Sequence, residues 1–337
     1  MSAPHRYWIR GVALVAFAML LVAFGRRVDW HAAATAVRGA DVRLLMLALV
    51  CNQLSLALKG VRWWVFLRPL GVRSLALVLR ATFAGASLNN FVVAQGGEGA
   101  RVLLVSRATG VSSARVTGAL VLERVLDAVS YLALLTGAAL ALHLPESLVR
   151  WRTMAGIALL LVVLALAALS VIARSHARDV PVPRNEPGSG PVQRYLGQFA
   201  ASMRESGSPA RLMMALLLSI AAWALQLATY HLVALATHLP ISLAGSTAAL
   251  LAIGVSFLVR ATPGNVGVFQ VIYAVTAGWF GVSENPAVAT ALLIQTIQIV
   301  PTVLIGTVVG HGLLFAPHTP FSSDVKQAPE SIGPPGP

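Results

Sequence analysis

Apolar residues gather into long runs near positions 9–25, 44–67, 75–95, 116–142, 154–172, 211–238, 243–260, 266–282 and 287–314. A helix needs about 20 residues to cross the hydrocarbon core of a bilayer, and most of these runs approach or exceed that length. The pattern predicts an all-α, polytopic integral membrane helical bundle. Trp8, Trp30, Trp63, Trp64 and Trp151 stand at or near run ends, where indole rings favour the membrane–water interface. A polar stretch rich in Pro, Gly and Ser separates two groups of runs. It divides the chain into an N-terminal membrane half (1–172), a connector expected to be cytoplasmic (173–210) and a C-terminal membrane half (211–314). The tail, 315–337, holds too little apolar material to pack and is expected to be disordered. No soluble catalytic domain is expected at either end. Arg6 and Arg10 precede a first run that closes on Ala23, Phe24 and Gly25, which imitates a signal-peptide cleavage site. Because further spans follow at once, an uncleaved first helix is the expectation.

Two runs are interrupted. In the first, "SLNNFVVAQGGEGARVLLVSR" (87–107) breaks an apolar segment with Asn89, Asn90 and a glycine cluster, then continues into Glu98 and Arg101. If every run spans and the N-terminus is cytoplasmic, the loop carrying Arg101, Arg107 and Arg115 and the arginine-bearing connector both fall outside, against the positive-inside tendency. If 75–95 instead dips in and returns, Lys59, Arg62, Arg68, Arg73, Arg101, Arg107 and Arg115 all become cytoplasmic together. A re-entrant segment is therefore the expectation, and an ordinary interfacial turn is the plain alternative. Asn89 and Asn90 can satisfy freed backbone groups, and Gly96, Gly97 and Gly99 permit a tight reversal with backbone amides facing a ligand. The cluster lacks the Lys-Ser/Thr of a nucleotide loop. In the second, "SFLVRATPGNVGVFQVIYAV" (256–275) is broken by Pro263 and Gly264 directly after Arg260, so two half-helices are expected to meet there. A half-helix starting after Gly267 would turn its positive N-terminal end toward the break. Paired broken segments in the two halves of a membrane protein point to a transport site near mid-depth.

Ionisable residues inside an apolar run are costly and need a partner or a wet cavity. Glu123, Arg124 and Asp127 lie within "GALVLERVLDAVSYLALL", where i, i+3 and i, i+4 spacings put two acids and a base on one side of a helix. A structural ion pair and an anion-recognising site both fit that grouping; in the second, Arg101 and Arg124 contact phosphate and the acids orient them. The candidate substrate-binding set is Asn89, Asn90, Gly97, Glu98, Arg101, Glu123, Arg124, Asp127, Arg260, Pro263, Gly264 and Gly267, with Arg80 in reach. The stripes Asn52, Ser55, Lys59 and Gln295, Gln298, Thr302 are read as interhelical hydrogen bonding, Gly306 and Gly310 as close helix packing, and His231 as a packing residue.

Composition narrows the function classes. Of 337 residues, 57% are hydrophobic and 11% charged, outside the balance of a soluble globular domain. The net charge of +13 does not indicate nucleic acid, because the basic residues fall between apolar runs. They suit topology and anionic lipid head groups. The single cysteine, Cys51, excludes a disulfide framework or a cysteine metal site, and the scattered histidines suggest no metal. Neither a metal nor a cofactor is expected.

"GGEGARVLLVSRATGVSSARVTGALVLERVLDAVSYLALL", followed much later by "PGNVGVFQ", resembles the lysylphosphatidylglycerol synthase transmembrane family, also called the flippase-like or UPF0104 family. The resemblance covers nearly the whole membrane region. It implies a lipid-translocating fold in which Gly97, Glu98 and Arg101, then Glu123, Arg124 and Asp127, then Pro263, Gly264 and Gly267 matter. This chain departs from the family pattern at Val93, Gln95 and Gln270, the last replacing an acid, which counts against a cationic lysyl-lipid substrate. The aminoacyl-transferase domain found in some family members is absent, so lysyl-lipid synthesis is not expected. The expected function is a non-enzymatic, multi-pass inner-membrane flippase or transporter moving an anionic or modified phospholipid between leaflets. The alternative is an accessory subunit or enzyme that modifies a polyprenyl- or hopanoid-type lipid. Expected partners are membrane lipids, with a second copy of the chain or a separate lipid-synthesising enzyme as protein partner.

Overall fold

A computed structural model of the chain describes residues 38–91, 96–141, 191–256 and 263–314, together with 35, 156, 157 and 160. The expected first span, almost all of 154–172, the tail and Arg260 lie outside the described residues. Within them the chain forms nine α-helices and no strand: α1 (Val42–Leu67), α2 (Leu75–Phe91), α3 (Gly96–Thr109), α4 (Ser113–Ala141), α5 (Pro191–Ser206), α6 (Pro209–Ala236), α7 (Leu243–Ser256), α8 (Val268–Gly278) and α9 (Glu284–Leu314).

Three of these, α1, α6 and α9, are long and apolar enough to cross a membrane. Asp41 starts α1 by accepting hydrogen bonds from the amides of Arg43 (2.8 Å) and Leu44 (3.4 Å), and α6 starts with Pro209 at a position where a missing N–H costs nothing. The outer faces are apolar. Val42, Met46, Val50 and Leu54 recur at four-residue spacing on α1, as do Val300, Leu304 and Val308 on α9, and all are exposed. Polar groups instead turn inward, the arrangement a hydrocarbon solvent imposes.

Helices α1 and α6 run antiparallel along most of their length. Thr229 Oγ1 donates to the Ala48 carbonyl (3.4 Å), Ser55 Oγ to that of Ala222 (2.8 Å), and Ser206 Oγ to that of Phe66 (2.7 Å). The last bond places the end of α5 beside the end of α1. The connector is therefore not all linker: once past Pro191 its sequence folds as an amphipathic helix that packs Ser202 and Phe199 against Gly118 and pairs Glu205 with Arg115.

The remaining helices build two hairpins. Gly71, in the left-handed region at φ 101°, reverses the chain after α1 and launches α2. Helix α3 then returns alongside α2: the amide of Gly97 donates to Asn89 Oδ1 (2.9 Å), and Gly97 and Arg101 both press on Gly85. A buried cluster holding Trp63, Phe66, Val78, Val105 and Val116 closes the end of the bundle where α2 begins and α3 finishes. The second hairpin, α7 and α8, stands at the other end, where Phe280, just after α8, touches Gly245 near the start of α7. It joins a second cluster that includes Val233, Ile241, Phe269, Tyr273 and Ala277. At about 1.5 Å per residue, the 14-residue α7 and 11-residue α8 reach only about 21 Å and 17 Å, too short to cross a core of about 30 Å. Both hairpins enter the bundle from one end and return to it, and their ends are opposite.

Helix α9 clamps the two together. Gly306 and Gly310 lie against Phe83, Ser87 and Ala84 of α2, as expected of close helix packing.

Candidate functional site

The charges of the central helices form one continuous network. Arg62 of α1 donates through Nη1 to Asp127 Oδ1 (2.6 Å) and Ser219 Oγ (2.7 Å), and through Nη2 to Glu123 Oε1 (3.1 Å). The other oxygen of Glu123 accepts from Arg101 Nη2 at 3.1 Å. Arg101 also lies over the Trp63 ring, 4.2 Å from its centroid, a cation–π contact. Glu98 takes a two-point grip from Arg124, whose Nη1 is also 3.5 Å from Asp127. Arg62 and Glu123 are only 1% and 2% exposed. Three guanidiniums thus neutralise three carboxylates, and every acid in the network is occupied. Buried charges matched in this way hold helices in fixed register, but removing one partner leaves the other stranded.

Beside the network lies a cavity of about 290 Å³. The tips of both hairpins open onto it through Asn89 and Asn90 of the first and Gly264 and Asn265 of the second. They touch: a methyl group placed on Gly264 would sit 3.6 Å from the Asn90 carbonyl oxygen. Gly264 (φ 60°) and Asn265 (φ 59°) occupy the left-handed region, the conformation that lets the chain reverse between α7 and α8. Gly267, at φ 85°, then precedes α8; its amide donates to Gln270 Oε1 (2.7 Å), while Gln295 Nε2 donates to the Gly264 carbonyl (2.8 Å). Backbone freed by the break is thereby satisfied by side chains. The cavity is completed by Asn52 and Lys59 of α1, Trp223, Gln226 and Tyr230 of α6, and Gln298 and Thr302 of α9. Asn52 is ten residues from the start of α1 and fifteen from its end, about 15 and 22 Å, so the cavity sits near mid-depth.

The expected residues therefore divide. Glu98, Arg101, Glu123, Arg124 and Asp127 meet in the charge network, with Gly97 at the hairpin contact. Asn89, Asn90 and Gly264 meet at the cavity, flanked by Pro263 and Gly267, and Arg260 lies outside the described residues. Arg101 and Arg124 face carboxylates and do not line the cavity. Arg80 is exposed and takes no part in the network. Of the residues grouped by topology with the cytoplasmic arginines, Arg62 and Arg101 are buried among helices and Lys59 lines the cavity. Of the two polar stripes, Asn52, Ser55, Gln295 and Thr302 make interhelical bonds as expected, and Asn52 and Thr302 also line the cavity, together with Lys59 and Gln298. Lys59 is the one cation in its lining among the described residues. Its ammonium lies 5.6 Å from the Trp223 centroid and has no carboxylate within 4 Å among the described residues.

The sequence profile of the lysylphosphatidylglycerol synthase TM region matches residues 8–306, which includes both hairpins, the charge network and every residue that lines the cavity. The chain belongs to this family. A UPF0104 membrane protein of Pyrococcus horikoshii is 24% identical over 297 residues, covering 80% of this chain and 87% of that protein. Within this lysylphosphatidylglycerol synthase TM region, Glu98 and Arg101 of the first motif group and Glu123, Arg124 and Asp127 of the second build the charge network, Gly97 makes the α2–α3 contact, and Pro263, Gly264 and Gly267 shape the second hairpin tip.

Proposed function

We propose that the chain is a multi-pass protein of the inner membrane that moves a lipid head group between leaflets through the cavity where the hairpins meet. The observation that carries this reading is the meeting of Asn90 and Gly264, the tips of two hairpins from opposite ends, on a polar cavity near mid-depth. Non-helical backbone at that depth is tolerated only where protein buries it or water fills a cavity, and broken helices of this kind flank substrate sites in transporters. Each hairpin closes one end, so rocking either one exposes the cavity to a single leaflet. The charge network ties α3, the returning arm of the first hairpin, to α4, and α4 to α1, and the reading assigns it no catalytic step. Membership of a family described by a lipid-linked transmembrane region also supports a lipid as cargo.

The test is leaflet translocation of fluorescent phospholipids in proteoliposomes across a head-group panel. At least one lipid is expected to cross faster than in protein-free vesicles; equal rates throughout would remove the reading. The opposed hairpins carry their own prediction. In a Cys51→Ser background, cysteines at Ala108 and Ser283 are expected to react with an impermeant thiol reagent from opposite faces of the membrane. Reaction of both from one face would refute the arrangement.

A further inference from the structure

We propose that Lys59, Asn52, Asn89 and Trp223 form a binding site for the phosphate of a lipid whose head group carries one negative charge and no ammonium. This deepens the transport reading and rests on it only for the ligand being a lipid.

The argument starts from what the cavity leaves unpaired. The Gly97 amide occupies Asn89 Oδ1, so a backbone donor sets that amide's orientation and leaves its N–H groups for another acceptor. Asn52 Oδ1 accepts from Gln226 Nε2 (3.5 Å), which likewise leaves the Asn52 N–H groups. The indole N–H of Trp223 is buried with no acceptor among the described residues. Asn90 does the reverse, spending its N–H on the Ala86 carbonyl (3.1 Å). The surplus on α1, α2 and α6 is therefore mainly donors around an ammonium, the complement of an oxyanion.

Charge selects among anions. The carboxylates near the cavity, Glu98, Glu123 and Asp127, are each held by arginine, and none lines it. Lys59 supplies one positive charge, which a phosphodiester balances. An aminoacylated head group brings an ammonium that would meet Lys59 and find no carboxylate among the described residues of the lining. At mid-depth, where water screens little, that repulsion decides the preference. Inorganic phosphate shares the same chemistry but lacks acyl chains to hold it in the bilayer.

The experiment measures binding to the full-length protein in detergent by native mass spectrometry. The probes are phosphatidylglycerol, lysylphosphatidylglycerol, diacylglycerol and soluble glycerol 1-phosphate. Phosphatidylglycerol is expected to bind about tenfold more tightly than either lysylphosphatidylglycerol or diacylglycerol, the size of one charge-assisted contact. Lys59→Gln is expected to erase the difference and Lys59→Arg to keep it. Asn52→Asp, two helical turns from Lys59, is expected to shift preference toward the lysylated lipid. The proposal is overturned if the parent binds lysylphosphatidylglycerol as tightly as phosphatidylglycerol, if Lys59→Gln keeps the preference, or if glycerol 1-phosphate binds and the lipids do not. Should Lys59→Gln fail to fold, an unchanged preference in Asn52→Asp overturns it alone. Preference without translocation removes the transport reading and leaves this site; translocation without preference removes the site and leaves the reading.

Discussion

Replacing Glu123 with alanine is expected to lower the stability of the protein in detergent by about 3–5 kcal/mol, the cost of stripping one partner from a buried ion pair. The carboxylate is 2% exposed and serves two guanidiniums, each at 3.1 Å. Its removal does not affect the two equally. Arg62 keeps Asp127 and Ser219, whereas Arg101 retains only Thr82 at 3.5 Å and the face of Trp63. The loss therefore falls mainly on Arg101, which α3 carries into the hairpin. A double variant, Glu123→Leu with Arg101→Met, is expected to recover part of the loss, because an apolar pair needs no counter-charge. Thermal unfolding followed by circular dichroism reads both. A single variant within about 1 kcal/mol of the parent would show that the network does not bear on stability.

Gly97→Val is expected to cost at least about 3 kcal/mol, at or above the upper end of overpacking penalties, and to disrupt the first hairpin. A Cβ at Gly97 would run into the carbonyl oxygen of Gly85 and lie 2.7 Å from the Asn89 side chain. Backbone, unlike a flexible side-chain end, cannot yield, so α3 must leave α2, and Asn89 loses the amide it accepts from. Two residues on, the same helix offers a control. Gly99 has nothing within 4 Å of its added Cβ and sits inside α3, so Gly99→Ala is expected to raise stability by up to about 1 kcal/mol through helix propensity. The two glycines look alike in sequence and are expected to respond with opposite sign. A tolerated Gly97→Val would mean that the hairpin does not rely on this contact.

How much of this was legible without coordinates depends on the residue. Pro263 and Gly264 announce a break because they cannot continue a helix, and Asn89, Asn90 and the glycines announce another; the structure joins the two. Gly96, Gly97 and Gly99 suit a tight reversal by residue type, yet all three lie inside α3, since glycine is tolerated in a helix as well as in a turn. Lys59 and Arg62 were harder. They stand near the end of an apolar run beside Trp63 and Trp64, which is how an interfacial flank also looks. Charge accounting held the missing signal: Glu98, Glu123 and Asp127 need three cations, and Arg101 and Arg124 supply two. The spacing of Asn52, Ser55, Lys59 and Arg62 puts all four on one helical face, so Arg62 was the available third. No spacing rule could have revealed that Arg101 pairs with Glu123 while Arg124 pairs with Glu98, because that depends on how α3 lies against α4.

The central claim, that cargo passes through the cavity at the hairpin tips, is tested most directly by blocking it. In a Cys51→Ser background, Asn52→Cys places a thiol in the cavity lining, and Leu103→Cys places one on the exposed face of α3. Both proteins are reconstituted in proteoliposomes, and lipid translocation is measured before and after reaction with a bulky thiol reagent. The account predicts that modification at position 52 brings translocation down to the rate of protein-free vesicles, while modification at position 103 leaves it unchanged. Full translocation through a protein completely modified at position 52 would contradict it.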